Sequence, residues 1–314
     1  MSKITIIGAG NVGATIAYTL TVSGLASEIV LIDIATEKAL GEALDIRQGT
    51  PYLNPCSIYA GDYRNAVGSD IVILTSGVAR KPGQSRLDLA QVNVNITKSI
   101  IPQITKYAPD ALYVVVANPV DILTYTFCKY SGIPENRIIG SGTILDTARL
   151  RARVAEYYNI KQSDVHAYVL GEHGDSAFVP WSIATIAGLP IDMYHPSIHK
   201  MDGLFPELDY EDIANYVRRS GSRIIQRKGA TFYAIAVCVC HLVRSLQSSV
   251  GINVTVSSML HGEYGFDDVC ISTINVVNNT GIIGRILPPL TDSEFAEFSE
   301  SAKTLKDLIA QLKF

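Results

Sequence analysis

The sequence predicts an α/β protein in which a doubly wound parallel sheet comes first and an α+β half follows. In the first half, short apolar segments alternate with amphipathic segments of helical period. Several apolar segments are continuous and β-branched, which is typical of strands buried on both faces of a parallel sheet. A glycine-rich turn follows the first apolar segment, and the pattern changes near residue 143. Together these observations predict right-handed strand–helix–strand units in the first half only.

The elements of the first half follow from that alternation. Helices are expected over 11–23 and 89–106. Strands are expected over 3–7, 28–32, 57–60, 70–75, 111–117 and 137–139.

The second half has a different pattern. A helix is expected over 144–158, followed by a β-rich stretch over 165–180. The remaining expected elements are helices over 210–227 and 230–246, strands over 254–260 and 269–277, and a helix from about Thr291. Because no low-complexity linker separates the halves, we expect a nucleotide-binding domain over 1–142 and a substrate domain over 143–314, with a cleft between them.

Composition limits the class of protein and its partners. With 18% charged and 47% hydrophobic residues, the 314-residue chain is globular rather than disordered. The net charge of −4 predicts no nucleic-acid or membrane partner, and the longest apolar stretch, 111–117, is too short to cross a bilayer. Five scattered cysteines and the absence of a secretory signal pattern lead us to expect a cytoplasmic protein.

A glycine motif marks a candidate cofactor site. Gly8, Gly10 and Gly13 form G-x-G-x-x-G directly after a strand and at the start of a helix. Such glycines make a tight turn, let the backbone approach a pyrophosphate and allow close helix–strand packing. The N–H groups at the helix N-terminus favour phosphate binding. The residues expected there are Asn11 and Val12.

Asp33 strengthens this interpretation. It ends the second strand, 20 residues after Gly13, where an acidic residue binds a ribose hydroxyl. The alternative is a glycine turn with a surface aspartate, but the full strand–turn–helix–strand–Asp order favours a Rossmann-type dinucleotide site. No arginine follows Asp33 in Ile34-Ala35-Thr36, so NAD is favoured over NADP.

The candidate reacting group is His173, in Gly171-Glu172-His173-Gly174-Asp175. Histidine holds and releases a proton near neutral pH, and flanking glycines allow a ligand to approach. Asp146 and Arg149 lie three residues apart on a predicted helix and face the same way. A guanidinium binds a carboxylate through two parallel hydrogen bonds. An aspartate that is hydrogen-bonded to a histidine orients the ring and favours its charged form. A surface ion pair is the alternative for Asp146 and Arg149.

The chain resembles the L-lactate/L-malate dehydrogenase family over essentially its whole length. The resemblance is carried by several stretches in combination. They are GAGNVG, Asp33, the loop 78–89, Ala117-Asn118-Pro119-Val120-Asp121, Gly140-Ser141-Gly142-Thr143, LDTAR and GEHGD.

The resemblance implies a reaction and roles at matching positions. It implies that His173 protonates the ketone oxygen of a 2-keto acid as hydride leaves NADH, and that Asp146 holds His173 in place. Arg149 would bind the substrate carboxylate, and Arg86, on a closing loop, would polarise the carbonyl. A solvated basic loop is the alternative for Arg86. The other matching positions are Asn118, beside the same oxygen, and Ser141, at the cofactor.

Two matching positions point to different substrates. Arg80, before Lys-Pro-Gly in the loop, resembles malate enzymes, whereas Thr231 resembles the threonine that packs near the methyl group of pyruvate in lactate enzymes. A closed loop with pyruvate bound would bury Arg80 unpaired, at a cost of about 3–5 kcal/mol. We therefore hypothesise a lactate dehydrogenase scaffold that accepts oxaloacetate through Arg80. The alternatives are a malate dehydrogenase proper and, in another class, a non-catalytic NAD-binding regulator.

The resemblance also implies regulation and assembly. Arg151 and His166 match the pair that binds fructose 1,6-bisphosphate between subunits of allosteric bacterial relatives. A solvated arginine and a half-buried histidine are the alternative. The resemblance implies a homotetramer, or else a dimer.

Other signals favour ordinary structure. His195 and His199 have helical spacing but flank Pro196, so a loop is expected and no metal site is predicted. Cys238 and Cys240 are expected to pack in an apolar helix. Arg218 and Arg219 are expected opposite the apolar stripe formed by Ile213, Val217 and Ile224.

Overall fold

The computed structural model describes residues 2–79, 83, 85–198 and 208–314. Arg80 and His199 lie outside these residues. Within the described part, the first half alternates strands and helices as the sequence predicts. Its elements are β1 (Lys3–Ile7), α1 (Asn11–Val22), β2 (Glu28–Ile32), α2 (Thr36–Gln48), β3 (Ser57–Ala60), β4 (Ile71–Leu74), α3 (Arg86–Tyr107), β5 (Leu112–Val115), α4 (Val120–Tyr130) and β6 (Ile138–Gly140).

The second half contributes short and long elements. Its first part is helical, with one small antiparallel sheet, and its last part is a meander followed by a helix. The elements are α5 (Ile144–Tyr158), β7 (Val165–His166), β8 (Thr185–Ile186), β9 (Leu189–Pro190), α6 (Ile191–Ser197), α7 (Tyr210–Lys228), α8 (Tyr233–Leu246), β10 (Ile252–His261), β11 (Asp267–Asn278), β12 (Gly281–Ile286) and α9 (Asp292–Gln311).

The large sheet confirms the doubly wound prediction. Strands β3, β2, β1, β4, β5 and β6 lie side by side in that order, and all of these pairs are parallel. The chain therefore winds outward in one direction from β1 and in the other from β4. The crevice where the winding direction reverses, at the carboxyl ends of β1 and β4, is where ligands bind in sheets of this kind.

The second half is joined to the first through the large sheet. Strand β10 pairs antiparallel with β6 through Ser257 and Gly140, so β10, β11 and β12 extend the same sheet to nine described strands. The stretch 165–180, expected to be β-rich, holds β7 and two isolated bridges, between Leu170 and Phe178 and between Gly171 and Ser272. Short pairings of this kind have too little hydrophobic periodicity to be located from sequence.

Two hydrophobic clusters lie on the two faces of the large sheet. Alternate residues of β1 point to opposite faces, so Ile4 and Ile6 join one cluster and Ile7 joins the other. A third cluster forms around α5 and α7. Because α5 is buried between the sheet and α7, the polar residues of its first turn are fixed in position.

Helix α3 begins three residues earlier than the apolar pattern indicates. The Ser85 hydroxyl accepts the backbone N–H of Asp88 at 3.0 Å, and the Asp88 carboxylate accepts from Ser85 in return. This capping box stabilises a polar first turn that hydrophobic periodicity does not detect. It also places Arg86 on the helix itself.

Candidate active site

A cavity of about 290 Å³ opens at the carboxyl ends of the parallel strands. Its walls come from α1, α5, α7, the loop around His173 and the segment before α8. It brings together seven residues that the sequence predicts to act in one site. They are Val12, Asn118, Ser141, Asp146, Arg149, His173 and Thr231.

A shared carboxylate organises the inner end of the cavity. One oxygen of Asp146 lies 2.6 Å from His173 Nδ1, and the other accepts from Arg149 Nη1 at 2.9 Å. The side chains of Asp146 and Arg149 are only 8% and 13% exposed, against 26% for His173. The predicted alternative of a surface ion pair is therefore wrong. All three residues line the cavity, and the histidine is the most exposed of them.

Burial and charge oppose each other at His173. Burial lowers the pKa of the imidazole, but the charge of Asp146 and its hydrogen bond more than reverse this effect, and the pKa of His173 rises to about 8. Burial raises the pKa of Asp146, but the charges and hydrogen bonds of His173 and Arg149 keep it below its usual value. Near neutral pH the site therefore holds a protonated imidazole whose Nδ1 is bound to Asp146. Its Nε2 proton is the one available to a ligand.

The loop that carries His173 is held from three sides. The His173 N–H donates to Asp121 Oδ2 at 2.8 Å, and Asp121 is a 2% exposed residue in the first turn of α4. The Glu172 N–H donates to the Ser301 hydroxyl of α9 at 2.7 Å. Gly171 exchanges two backbone hydrogen bonds of 3.1 Å with Ser272 of β11. The imidazole is therefore positioned by backbone contacts as well as by Asp146.

Asp121 is a functional residue whose role the sequence reasoning missed. Burial raises its pKa to about 6, although the hydrogen bond from the His173 N–H and the charge of His173 lower it. Its charge also raises the pKa of His173. The available signal was an acidic residue in the first turn of a mainly apolar helix. Ser301 gave no comparable signal, because a serine 129 residues away from its partner forms no local pattern.

The geometry of the glycine turn fits a dinucleotide. Gly8 has a positive φ of 105°, and a side chain on Gly13 would collide with the Gly8 carbonyl, so both positions require glycine. A Cβ on Gly10 would meet nothing within 4 Å, which leaves space in front of the helix for a phosphate group. Helix α1 has no side-chain cap, so the N–H groups of its first turn, which begins with Asn11 and Val12, point into that space.

Asp33 is placed beside the same turn. One carboxylate oxygen accepts the Ala9 N–H at 2.6 Å and the other accepts the Ala35 N–H at 2.8 Å. A carboxylate has about four acceptor positions, so two remain for the hydroxyls of a ribose. The glycine turn, the helix end and Asp33 thus form a continuous surface that leads through Val12 to His173.

Of the remaining residues expected to contact the substrate, some line the cavity and others do not. Asn118, in a cis peptide with Pro119, is exposed at the cavity, and its carbonyl accepts from Asn93 at 2.7 Å. The family role of Arg86 would require it to line the cavity, but it does not. Arg86 instead forms an ion pair with Asp175, which lines the cavity. The predicted contact of Arg80 lies outside the described residues.

The candidate regulatory residues lie away from this cavity. Arg151 Nε donates to the Ala167 carbonyl at 2.9 Å, and its guanidinium packs 5.0 Å from the centre of the Tyr168 ring. It lines a second cavity of about 530 Å³, together with His241 and Arg244. His166 is exposed on β7.

Three minor expectations have different outcomes. His195 lies on α6 rather than in a loop, because Pro196 falls in the last turn of that short helix. Cys238 and Cys240 are confirmed as buried packing residues with free thiols. Arg218 is half-buried and lines the cavity, so its predicted place on the solvent face was wrong. In the part of the chain that the structure describes, no His, Cys, Asp and Glu cluster could hold a metal, and no helix is long and apolar enough to cross a membrane.

Comparison with known proteins agrees with this geometry. Residues 2–140 match the lactate/malate dehydrogenase NAD binding domain, and residues 143–313 match the alpha/beta C-terminal domain of the same family. An L-lactate dehydrogenase of Thermoanaerobacter sp. (strain X514) is 47% identical over 313 residues, which cover 99% of both chains. The L-lactate dehydrogenase of Acetivibrio thermocellus is 45% identical over 99% of this chain and 98% of its own.

Solved structures are similar over the whole fold. The minor L-lactate dehydrogenase of Enterococcus mundtii superposes with a TM-score of 0.94 at 38% identity, covering 100% of this chain and 99% of its own. A lactate dehydrogenase from a Medee basin deep-sea metagenome library has the same TM-score and coverage at 35% identity. The chain therefore belongs to the lactate/malate dehydrogenase family of NAD-dependent oxidoreductases.

Proposed function

We propose that the protein is an L-2-hydroxy acid dehydrogenase that interconverts pyruvate and L-lactate. The observation that carries the proposal is the cluster of His173, Asp146 and Arg149 in one cavity with Val12 of the glycine turn. A carboxylate-binding cation beside a proton donor suits a 2-keto acid. The relatives named L-lactate dehydrogenase support pyruvate as that acid.

In the proposed mechanism, each residue of the cluster has a distinct task. Arg149 binds the substrate carboxylate, and Asn118 hydrogen-bonds near the carbonyl oxygen. His173 gives its Nε2 proton to that oxygen, and Asp146 stabilises the charged imidazole before the transfer. The glycine turn, Asp33 and Ser141 would hold NADH, which would supply the hydride when bound. Thr231 packs beside the methyl group, and Arg86 leaves Asp175 to polarise the carbonyl.

A non-catalytic NAD-binding regulator is the alternative of another class. Such a protein needs the glycine turn and Asp33 but not a buried aspartate shared by two cations. Maintaining such a cluster costs desolvation of several charges, which a purely regulatory protein has no reason to bear. The cluster therefore favours the enzyme.

The pH dependence of the rate tests the role of His173. Because reduction needs the protonated imidazole and its pKa is about 8, kcat/KM for pyruvate should fall as the pH rises through about 8. For L-lactate, kcat/KM should instead rise through the same pH. His173→Asn should lose at least about 100-fold in kcat/KM for pyruvate at pH 7. NADH absorbance assays across pH measure these rates. His195→Asn is the matched control and should keep its activity. Full activity in His173→Asn would contradict the mechanism.

We also propose that Arg80 allows the enzyme to use oxaloacetate. Its guanidinium would meet the second carboxylate of that acid, which pyruvate lacks. Arg80→Gln should lower kcat/KM for oxaloacetate relative to pyruvate by about tenfold or more, the loss of one charge-assisted contact. Steady-state kinetics with both acids measure this ratio, and an unchanged ratio would show that Arg80 does not select the substrate.

We further propose a homotetramer that fructose 1,6-bisphosphate activates through Arg151 and His166. The exposure of His166 and the position of Arg151 beside Ala167 support a phosphate site that a neighbouring subunit would complete. At low pyruvate concentration the bisphosphate should raise the rate of the native protein but not of Arg151→Gln. A flat response in the native protein would rule out this effector.

A further inference from the structure

Arg218 is a second arginine in the wall of the cavity, on a helix that no family role has so far involved. One face of α7 forms this wall, opposite the loop of His173. Arg218 is half-buried, whereas the neighbouring Arg219 is exposed. The residues of α7 that line the cavity are Val217, Arg218, Gly221, Ser222 and Ile225.

Arg218 is the cation of the cavity wall whose charge is least compensated. Asp146 is shared by His173 and Arg149, and Asp175 is paired with Arg86. None of the ion pairs among the described residues includes Arg218.

The hydrogen bonds of Arg218 go to neutral groups. Nη2 donates to Asn215 Oδ1 at 2.9 Å, and Nη1 makes a longer 3.4 Å contact with the Ala177 carbonyl. A guanidinium has five N–H donors, so three remain. Arg218 also lines a neighbouring surface cavity with Glu297 and Glu300, and its charge lowers the pKa of Glu297 against the larger raising effect of burial. Neither of these carboxylates lines the active-site cavity or forms an ion pair with Arg218 among the described residues.

The same face of α7 also leaves space in the cavity. Gly221 lies one turn further along the middle of α7, where glycine is less stable than alanine by up to about 1 kcal/mol. A Cβ at Gly221 would meet only Arg149 Nη2 within 4 Å, at an ordinary contact distance of 3.8 Å. Packing therefore does not require glycine there. The missing side chain leaves room beside the Arg149 guanidinium, in the cavity that Arg218 also lines.

We infer that Arg218, with the space at Gly221, forms a subsite for the side chain of the 2-keto acid and accepts a side chain that ends in a carboxylate. This inference rests on the proposed function, in which Arg149 binds the carboxylate at C1. A dicarboxylic 2-keto acid would then be held at both ends by arginines on different helices, and this contact would be independent of the one proposed for Arg80. The remaining N–H donors of Arg218 would bind the distal carboxylate in place of solvent.

Chain-length-matched substrates test the subsite. kcat/KM is measured for oxaloacetate against 2-oxobutanoate, and for 2-oxoglutarate against 2-oxopentanoate, in the native protein, Arg218→Met, Arg218→Lys and the control Arg219→Met. Arg218→Met should lower the ratio of dicarboxylic to neutral acid by about tenfold or more for at least one pair, as expected for loss of a charge-assisted contact. Arg218→Lys should retain part of the ratio, and Arg219→Met all of it.

Other outcomes overturn the inference. Equal losses for neutral and dicarboxylic acids in Arg218→Met would show that Arg218 only supports the loop through Ala177. An unchanged ratio, or a native protein that reduces neutral acids but neither dicarboxylic acid, would show that the subsite does not exist. If the native protein reduces none of the four acids or pyruvate with NADH, the proposed function itself fails. Thermal unfolding of each variant confirms that the kinetics compare folded proteins.

Discussion

The contact between Asp146 and His173 is the interaction on which the rest of the site depends. A carboxylate that is 8% exposed is stable as an anion only because two cationic groups share it, at 2.6 and 2.9 Å. Burial alone would lower the pKa of His173 and raise that of Asp146; the pairing reverses both changes. With Arg149 and a protonated His173, the cluster carries one net positive charge. In the proposed mechanism, a substrate carboxylate would neutralise this charge.

The fold serves this cluster by fixing its members from separate elements. Asp146 and Arg149 occupy one face of α5, which the core on either side prevents from moving. His173 lies on a loop, and a loop alone positions a side chain poorly. Its backbone is therefore bound to the buried Asp121 of α4, and its neighbours to β11 and α9. The cofactor turn reaches the same cavity because β1 and β4 end at the point where the sheet reverses its winding.

Local sequence patterns predicted the parts of this arrangement that depend on neighbouring residues. The bounds of β1 and α5 were predicted without error, and so was the common face of Asp146 and Arg149, because hydrophobic period and helical spacing determine them. Contacts between distant residues were not predictable in this way. The pairing of β10 with β6 and the role of Asp121 depend on tertiary packing, and they appear only in the structure.

Two arginines also show that local sequence patterns do not predict contacts between distant elements. Arg218 follows an amphipathic pattern that predicts exposure to solvent, yet it lines the wall of the active-site cavity. Arg86 matches a family position in the site, but here its charge is paired with Asp175 at the mouth. In both cases the sequence identifies the cation, and only the packing of other elements identifies its partner.

The most direct test of the central interaction is an NMR titration of the His173 imidazole in the native protein and in Asp146→Asn. The native midpoint should lie near pH 8. In the variant, burial remains while the negative charge is lost, so the midpoint should fall below the ordinary histidine value of 6.5. The pairing raises the pKa in the folded state, so its contribution to stability should be full below pH 6.5 and disappear as the pH rises through about 8. Equal midpoints in the two proteins would contradict the account, because they would show that Asp146 does not set the charge of His173.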